Sequence, residues 1–146
     1  MGCFCHTNMI DIKTMALTGI ALSGAFITDL LGGWDTGLQS LFIFMAIDYT
    51  TGLIVAGVFK KSQKSKRGAL ESYAAWKGLL RKGMSLAVVL IACRLDLLLQ
   101  TTIIRDATVI AYVVNELLSI TENIGLMGVP LPKIITNAIE ALKERE

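Results

Sequence analysis

Four long apolar stretches constrain the fold of this sequence more than any other feature. They cover residues 15–31, 38–59, 83–99 and 103–126, and charged residues are sparse within most of them. As helices, residues 15–31 would be about 25 Å long and residues 38–59 about 33 Å, close to the thickness of a bilayer's hydrocarbon core. Hydrophobic residues make up 53% of the 146 residues, which is high for a soluble domain. We therefore predict one all-α membrane domain over residues 1–146, with about four transmembrane helices.

The first stretch is the shortest of the candidates, so a three-helix arrangement stays open if it does not insert. Outside the stretches we predict an N-terminal extension (1–14), a basic cytoplasmic loop with a short interfacial helix (60–82), and an amphipathic C-terminal helix (130–146). The interfacial helix is indicated by aromatic residues beside cations. The tail either lies on the membrane or pairs with a neighbouring subunit.

The placement of Lys and Arg predicts the orientation. Every one of the 14 lies at the N-terminus, in the loop region or in the tail, except Arg94 and Arg105. Because cytoplasmic loops are enriched in Lys and Arg, four spans place both termini in the cytoplasm. The net charge of +2 gives no indication of a nucleic-acid partner. The topology residues of the loop region are Lys60, Lys61, Lys64, Lys66, Arg67, Lys77, Arg81 and Lys82.

The N-terminus contains Cys3, Cys5 and His6, which suggest either a metal site or a lipidated terminus. A metal site normally needs a second ligand pair, and His6 is the only histidine in the chain. The myristoylation pattern requires Ser or Thr at the sixth position. We therefore predict a solvated extension, with no metal and no cofactor.

Small residues at four-residue spacing predict faces where membrane helices pack closely. Gly19 and Ser23 form such a pair in the first stretch, and Gly52 and Ala56 follow Asp48 in the second. A carboxylate near the centre of a span costs about 2.5–3.5 kcal/mol on insertion scales, so Asp48 should face protein or water.

Two further ionisable residues, Arg94 and Asp96, stand near the far end of the third stretch. Side chains at a helix end can extend toward the interface, so this pair is compatible with a membrane span.

The fourth stretch carries polar residues along one broad helical stripe, which consists of Asn115, Glu116, Ser119, Glu122 and Asn123. Two carboxylates and two carboxamides facing acyl chains would be costly, so the stripe should contact protein or water. Three interpretations stay open: an internal hydrogen-bond network that holds the bundle together, contacts between subunits, and the lining of an aqueous path.

The segment YVVNELLSITENIGLMGVPLPKII resembles the C-terminal signature of the phage-lysis and toxin-secretion holins (bacteriophage holin family 4 type). The resemblance extends upstream to IDYTTG and WKGLLRKG and covers roughly residues 38–142; residues before 38 are poorly covered. The residues that carry it are Asp48, Tyr49, Thr51, Gly52, Lys77, Gly78, Lys82, Asp96, Asn115, Glu116, Leu118, Ser119, Ile120, Glu122, Asn123, Gly125, Gly128, Pro130 and Pro132.

The resemblance implies a protein without enzymatic activity that forms homo-oligomers in the bacterial cytoplasmic membrane. Its lesions would release an endolysin or a toxin that lacks a signal sequence, and the result would be host lysis or secretion. Some holins are made from two starts, and Met9 or Met15 could serve as the second. Initiation at Met15 would remove the charges of Asp11 and Lys13.

The alternative is a small ion-coupled exporter or channel subunit, in which Asp48 or Glu116 binds a proton. An enzyme has little support, because the sequence has no phosphate-binding loop and no histidine near a candidate nucleophile.

Overall fold

The computed structural model describes the backbone of residues 4–59 and 72–143, and the side chains of residues 12–59 and 72–142. Within these residues the fold is all-helical, as predicted, with no strand. The basic residues Lys60, Lys61, Lys64, Lys66 and Arg67 lie outside the described part. The helices are α1 (Phe4–Leu30), α2 (Thr36–Ile54), α3 (Ser72–Leu99), α4 (Ile103–Leu126) and α5 (Lys133–Lys143).

The chain divides into two compact units, of which the first ends at Trp34 and consists mainly of α1. Large apolar side chains of α1 are exposed, including Met15 and Phe26. Within the helix, the Ser23 hydroxyl donates to the Gly19 carbonyl over 2.8 Å. The helix ends where Gly32 and Gly33 adopt positive φ values of 90° and 99°, a conformation that suits residues without a Cβ.

The second unit begins at Asp35 and is built around α4, which contacts α2, α3 and α5. Leu38, Leu41, Met45 and Asp48 recur along α2 at three- and four-residue spacing and are all buried. This is the periodicity of one helical face, so α2 directs a single stripe inward. A π-helical turn, Val55–Phe59, extends α2.

Helix α3 differs from the prediction because it is continuous. Residues 72–82 were expected to form a separate interfacial helix, but they run without a break into residues 83–99. No proline interrupts this region, and neither Gly78 nor Gly83 has a positive φ that would turn the chain. The 28 residues of α3 span about 42 Å, enough to cross both the hydrocarbon core and part of the headgroup region.

Short connections join α3, α4 and α5. Gln100 has a φ of 53°, and the Thr101 amide donates to the Asp96 carbonyl over 3.0 Å, which closes the end of α3. Gly128, with a φ of 79°, follows the end of α4. In α5, Ile139 is buried whereas Ile134 is 78% exposed, so one face of the tail packs within the unit and another is left open.

One helix in the described residues is long and apolar enough to cross a membrane, namely α2 with its π-helical turn, Thr36–Phe59. Helices α3 and α4 contain 28 and 24 residues, but each carries several charged side chains. Those charges are central to the candidate site.

Candidate functional site

Three helices of the second unit meet at a buried lysine. The ammonium of Lys82 on α3 donates to Asp48 Oδ2 on α2 over 2.9 Å and to Glu116 Oε2 on α4 over 2.5 Å. The exposed fractions of these side chains are 13% for Lys82, 7% for Asp48 and 6% for Glu116. One cation therefore links two carboxylates away from solvent.

Helix direction explains how these residues meet. Because a short turn joins α3 to α4, the two helices run antiparallel, and residues equally distant from that turn face each other. Lys82 and Glu116 meet this condition, since both stand roughly 17 residues from the end of α3, or about 25 Å along the helix axes. Asp48 lies on the inward stripe of α2 and reaches the same point from a third direction.

Asn123 extends the cluster along α4. Its Nδ2 donates to Asp48 Oδ1 and to Thr51 Oγ1, each over 3.1 Å. Gly52 lies beside this contact, because a Cβ built there would be 3.8 Å from Asn123 Nδ2. We call Asp48, Thr51, Lys82, Glu116 and Asn123 the central cluster.

The charges of the central cluster make it sensitive to substitution. Two carboxylates and one ammonium carry a formal charge of −1 in a region lined by apolar helices. Removing one partner of a buried ion pair typically costs about 3–5 kcal/mol, because the remaining charge is left without compensation. The cluster therefore holds α2, α3 and α4 together only while its members stay paired.

The structure divides the predicted polar stripe into two lines. Glu116 and Asn123 point inward and are 4% and 6% exposed, whereas Asn115 and Glu122 are exposed and Ser119 is half-buried. Residues seven apart share a face, and consecutive residues differ by about 100°. One line thus belongs to the central cluster, and the other borders the surface of the unit.

A second group of charges surrounds the α3–α4 turn. Asp96 Oδ1 accepts hydrogen bonds from the hydroxyl of Thr101 (2.5 Å) and the amide of Ile104 (3.1 Å), and its Oδ2 accepts from the Arg105 amide (2.8 Å). The Arg105 guanidinium lies 2.5 Å from Asp35 Oδ2 and 3.1 Å from Asp106 Oδ1. We call Asp35, Asp96, Thr101, Arg105 and Asp106 the hairpin-end cluster.

Asp35 also begins α2, because its Oδ1 accepts from the Leu38 amide over 2.8 Å. Partial burial opposes ionisation of this carboxyl, but the hydrogen bonds from Arg105 and Leu38 outweigh it. Together they hold the pKa of Asp35 below its ordinary value.

The other predicted residues are not part of either cluster. Gly19 and Ser23 lie on exposed α1, Ala56 is buried after α2, and Arg94 is exposed on α3. Lys77 and Arg81 are also exposed, unlike Lys82. No group of acidic, Cys or His side chains among the described residues is arranged to hold a metal.

Sequence reasoning assigned Lys82 only to topology and missed its role as the cation between Asp48 and Glu116. The available signal was its spacing, since Lys82 and Glu116 are equally far from the predicted turn between the third and fourth stretches. Asp35 and Arg105 were also missed as partners, because 70 residues separate them.

Comparison with known proteins gives the family. A profile of the bacteriophage holin family matches residues 25–144. A probable holin of Bacillus phage phi105 is 36% identical over 107 residues, which cover 73% of this chain and 73% of the relative. An uncharacterized protein of Clostridium perfringens (strain 13) is 36% identical over 129 residues, which cover 87% of this chain and 90% of that protein.

An uncharacterized protein of Listeria monocytogenes is 36% identical over 122 residues, covering 83% of this chain and 81% of the relative. No solved structure matches the chain. The family match includes all of α2 to α5 and therefore both clusters. The chain belongs to the bacteriophage holin family.

Proposed function

We propose that this chain is a holin that oligomerises in the bacterial cytoplasmic membrane and opens lesions there. An endolysin, or a toxin without a signal sequence, leaves the cytoplasm through these lesions. Membership of the family implies a non-enzymatic protein of the cytoplasmic membrane that acts as an oligomer. The observation that carries the proposal further is the central cluster, an ionic contact between three helices of an apolar bundle.

A multi-pass topology with both termini in the cytoplasm is part of the proposal. Helix α2 has the composition of a span by itself. In α3 and α4, Lys82, Asp96, Arg105 and Glu116 are paired or bonded within the bundle, which lowers the cost of placing them in a membrane. Of the basic loop, only the α3 residues from 72 onward are described, so the orientation rests on the Lys and Arg distribution.

The mechanism follows from the charge of the central cluster. In the resting bundle, Lys82 holds Asp48 and Glu116 away from lipid. When subunits associate and the bundle separates, these side chains need water, and the edge of a lesion provides it. The polar residues of α4 then face the aqueous opening, while its apolar residues keep contact with lipid.

The test replaces Glu116 with leucine and uses Glu122→Leu as the matched control. Both changes remove one carboxylate from α4, but Glu116 is buried in the central cluster and Glu122 is exposed. Each variant is expressed in bacteria with a large cytoplasmic reporter enzyme, with and without a muralytic enzyme. Membrane fractionation measures insertion, and reporter release and membrane potential measure lesions.

We expect Glu116→Leu to insert normally and to release no reporter, and Glu122→Leu to behave as the unmodified chain. Normal release by Glu116→Leu would reject the proposed mechanism. Failure of the unmodified chain to release a folded reporter would reject the holin function itself.

The second candidate is an ion-coupled exporter or channel subunit. It is favoured by the two buried carboxylates, Asp48 and Glu116, around a single ammonium, because such a group can exchange a proton or small cation. The same experiment distinguishes the two functions. An exporter or channel changes the membrane potential or moves small solutes while the reporter stays inside.

A shorter product that starts at Met9 or Met15 would lose part of α1, which the structure begins at Phe4. Mass spectrometry of the protein expressed from its natural gene tests this second start. Two N-termini are expected, and a single N-terminus would exclude it.

A further inference from the structure

A cleft of about 420 Å³ lies between α3 and α4, away from the central cluster. Its α3 wall consists of side chains between Lys77 and Val88, and its α4 wall includes Tyr112 and Asn115. The volume falls within the range of small-molecule sites in proteins. The cleft is an open groove on the surface of the second unit.

The two ends of this cleft differ in chemistry. Lys77 and Arg81 are four residues apart, so they project from the same face of α3, and both are exposed. Neither has a carboxylate partner among the residues that the structure describes. Further along the same face, Leu80, Met84 and Val88 provide an apolar surface. From Lys77 to Val88 the groove follows α3 for about 16 Å.

The aromatic residues near Lys77 indicate the depth of this end in a membrane. Tyr73 and Trp76 are 76% and 59% exposed on the first turns of α3. Exposed Tyr and Trp are typical of the headgroup region, where one part of the ring meets lipid and another meets water. The cationic end of the groove therefore lies at headgroup level, and the apolar end extends toward the acyl chains.

We propose that the cleft binds one anionic phospholipid. Its phosphate lies between Lys77 and Arg81, where the Asn115 amide provides a neutral donor. The first part of an acyl chain follows Leu80, Met84 and Val88. Basic sites between membrane helices bind anionic lipid headgroups by the same combination of charge and apolar contact.

A second copy of the chain fits this surface less well. A helix is about 10–12 Å wide, too wide to enter a groove of this volume along its length. It would also have to bring a carboxylate to the level of Lys77 and Arg81. A lipid supplies the negative charge and the narrow apolar chain in one molecule.

The experiment is native mass spectrometry of the full-length protein in detergent, with added phosphatidylglycerol or phosphatidylcholine. The cleft variant is Lys77→Gln with Arg81→Gln. The matched control is Arg94→Gln with Lys133→Gln, which removes the same total charge from exposed positions outside the cleft. A third variant, Met84→Trp, blocks the apolar part at a position that is 66% exposed, so it leaves the helix intact.

We expect a phosphatidylglycerol adduct on the unmodified chain, at a level at least about fivefold above that of phosphatidylcholine. The cleft variant and Met84→Trp should each reduce this adduct by at least about fivefold, and the control should retain it. Equal loss in the cleft variant and its control would overturn the proposal, because it would indicate general charge attraction. Equal binding of the two lipids would also overturn it.

If the cleft variant and Met84→Trp kept the lipid but lost oligomers, the groove would be a contact with a second copy and the lipid site would be rejected. Circular dichroism of each variant establishes that its helices are retained. Lipid binding requires membrane residence but not lesions. The reporter-release assay and the lipid assay can therefore fail independently.

Discussion

The central cluster and the hairpin-end cluster each bring one cation to several carboxylates, yet they bond differently. In the central cluster, Lys82 and Asn123 make side-chain contacts with residues 34 or more positions away. In the hairpin-end cluster, carboxylates accept mainly from backbone amides at the starts of α2 and α4. The first cluster determines how three helices pack, and the second determines where two helices begin.

This difference predicts different consequences of damage. Loss of a helix cap frays the first turn, whose amides then bond to water near the end of the bundle. Loss of a central contact leaves a charge or donor between helices, where no water is at hand. We therefore expect the central cluster to control the stability of the whole unit and the hairpin-end cluster to control local order.

The largest effect is expected for Lys82→Met. The change leaves Asp48 and Glu116 buried without their cation, and we expect it to destabilise the bundle by about 3–5 kcal/mol. Thermal unfolding in neutral detergent, followed by circular dichroism, measures the loss. Lys77→Met is the matched control, because Lys77 is exposed on the same helix and should change stability by less than about 0.5 kcal/mol.

A combined variant sharpens the test of Lys82. Asp48→Asn and Glu116→Gln, added to Lys82→Met, remove the uncompensated charges and should restore part of the lost stability. If Lys82→Met and Lys77→Met were equally stable, the ion pairs of the central cluster would not stabilise the bundle.

A smaller, local effect is expected for Asp96→Ala. Its carboxylate accepts from the amides of Ile104 and Arg105, so those amides should exchange with deuterium about fivefold faster or more. Asp106→Ala is the control, since Asp106 contacts the Arg105 side chain but accepts no backbone amide among the described bonds. Faster exchange in the middle of α2 as well would contradict the proposed local role.

The two clusters also differ in how far the sequence predicts them. Spacing along one helix was enough to place Asp48 on a face with Gly52, and to collect the polar residues of α4 into one stripe. It did not divide that stripe, because Asn115 and Glu116 differ by only one position. Which of the two faces inward depends on where α2 and α3 pack, and that information is not local.

The continuous α3 illustrates the same limit. The change from basic to apolar composition near Lys82 indicated two segments, but a helix requires only hydrogen bonds and compatible residues, and both continue through this point. The buried position of Lys82 follows from this continuity. A break before residue 83 would have left it in a loop, as the sequence pattern predicted.

Asn123→Ala should have a moderate effect on the central cluster. The variant loses the donor to Asp48 Oδ1 and Thr51 Oγ1 and leaves these acceptors in a buried region, at a cost of about 1–2 kcal/mol. Asn115→Ala removes the same group from the exposed line of α4 and should cost less than about 0.5 kcal/mol. Equal unfolding temperatures for the two variants would show that the two lines of α4 contribute alike.

The smallest effect is expected at Asp35, where it appears as a dependence on pH. The pKa of this carboxyl is below its ordinary value of 3.8, because the hydrogen bonds from Arg105 and Leu38 outweigh partial burial. A group with a lowered folded pKa stabilises the fold at pH values above its unfolded pKa, and this contribution is lost as the pH falls through the folded pKa. Asp35→Asn keeps an acceptor for the Leu38 amide but loses the charge that pairs with Arg105. The unmodified chain should therefore unfold at a higher temperature than Asp35→Asn at about pH 6, and the gap should close toward about pH 2. Because the Asp35 side chain is 48% exposed, the gap should also shrink in high salt. A gap that is constant from neutral to acidic pH would mean that the Asp35 charge does not stabilise the start of α2.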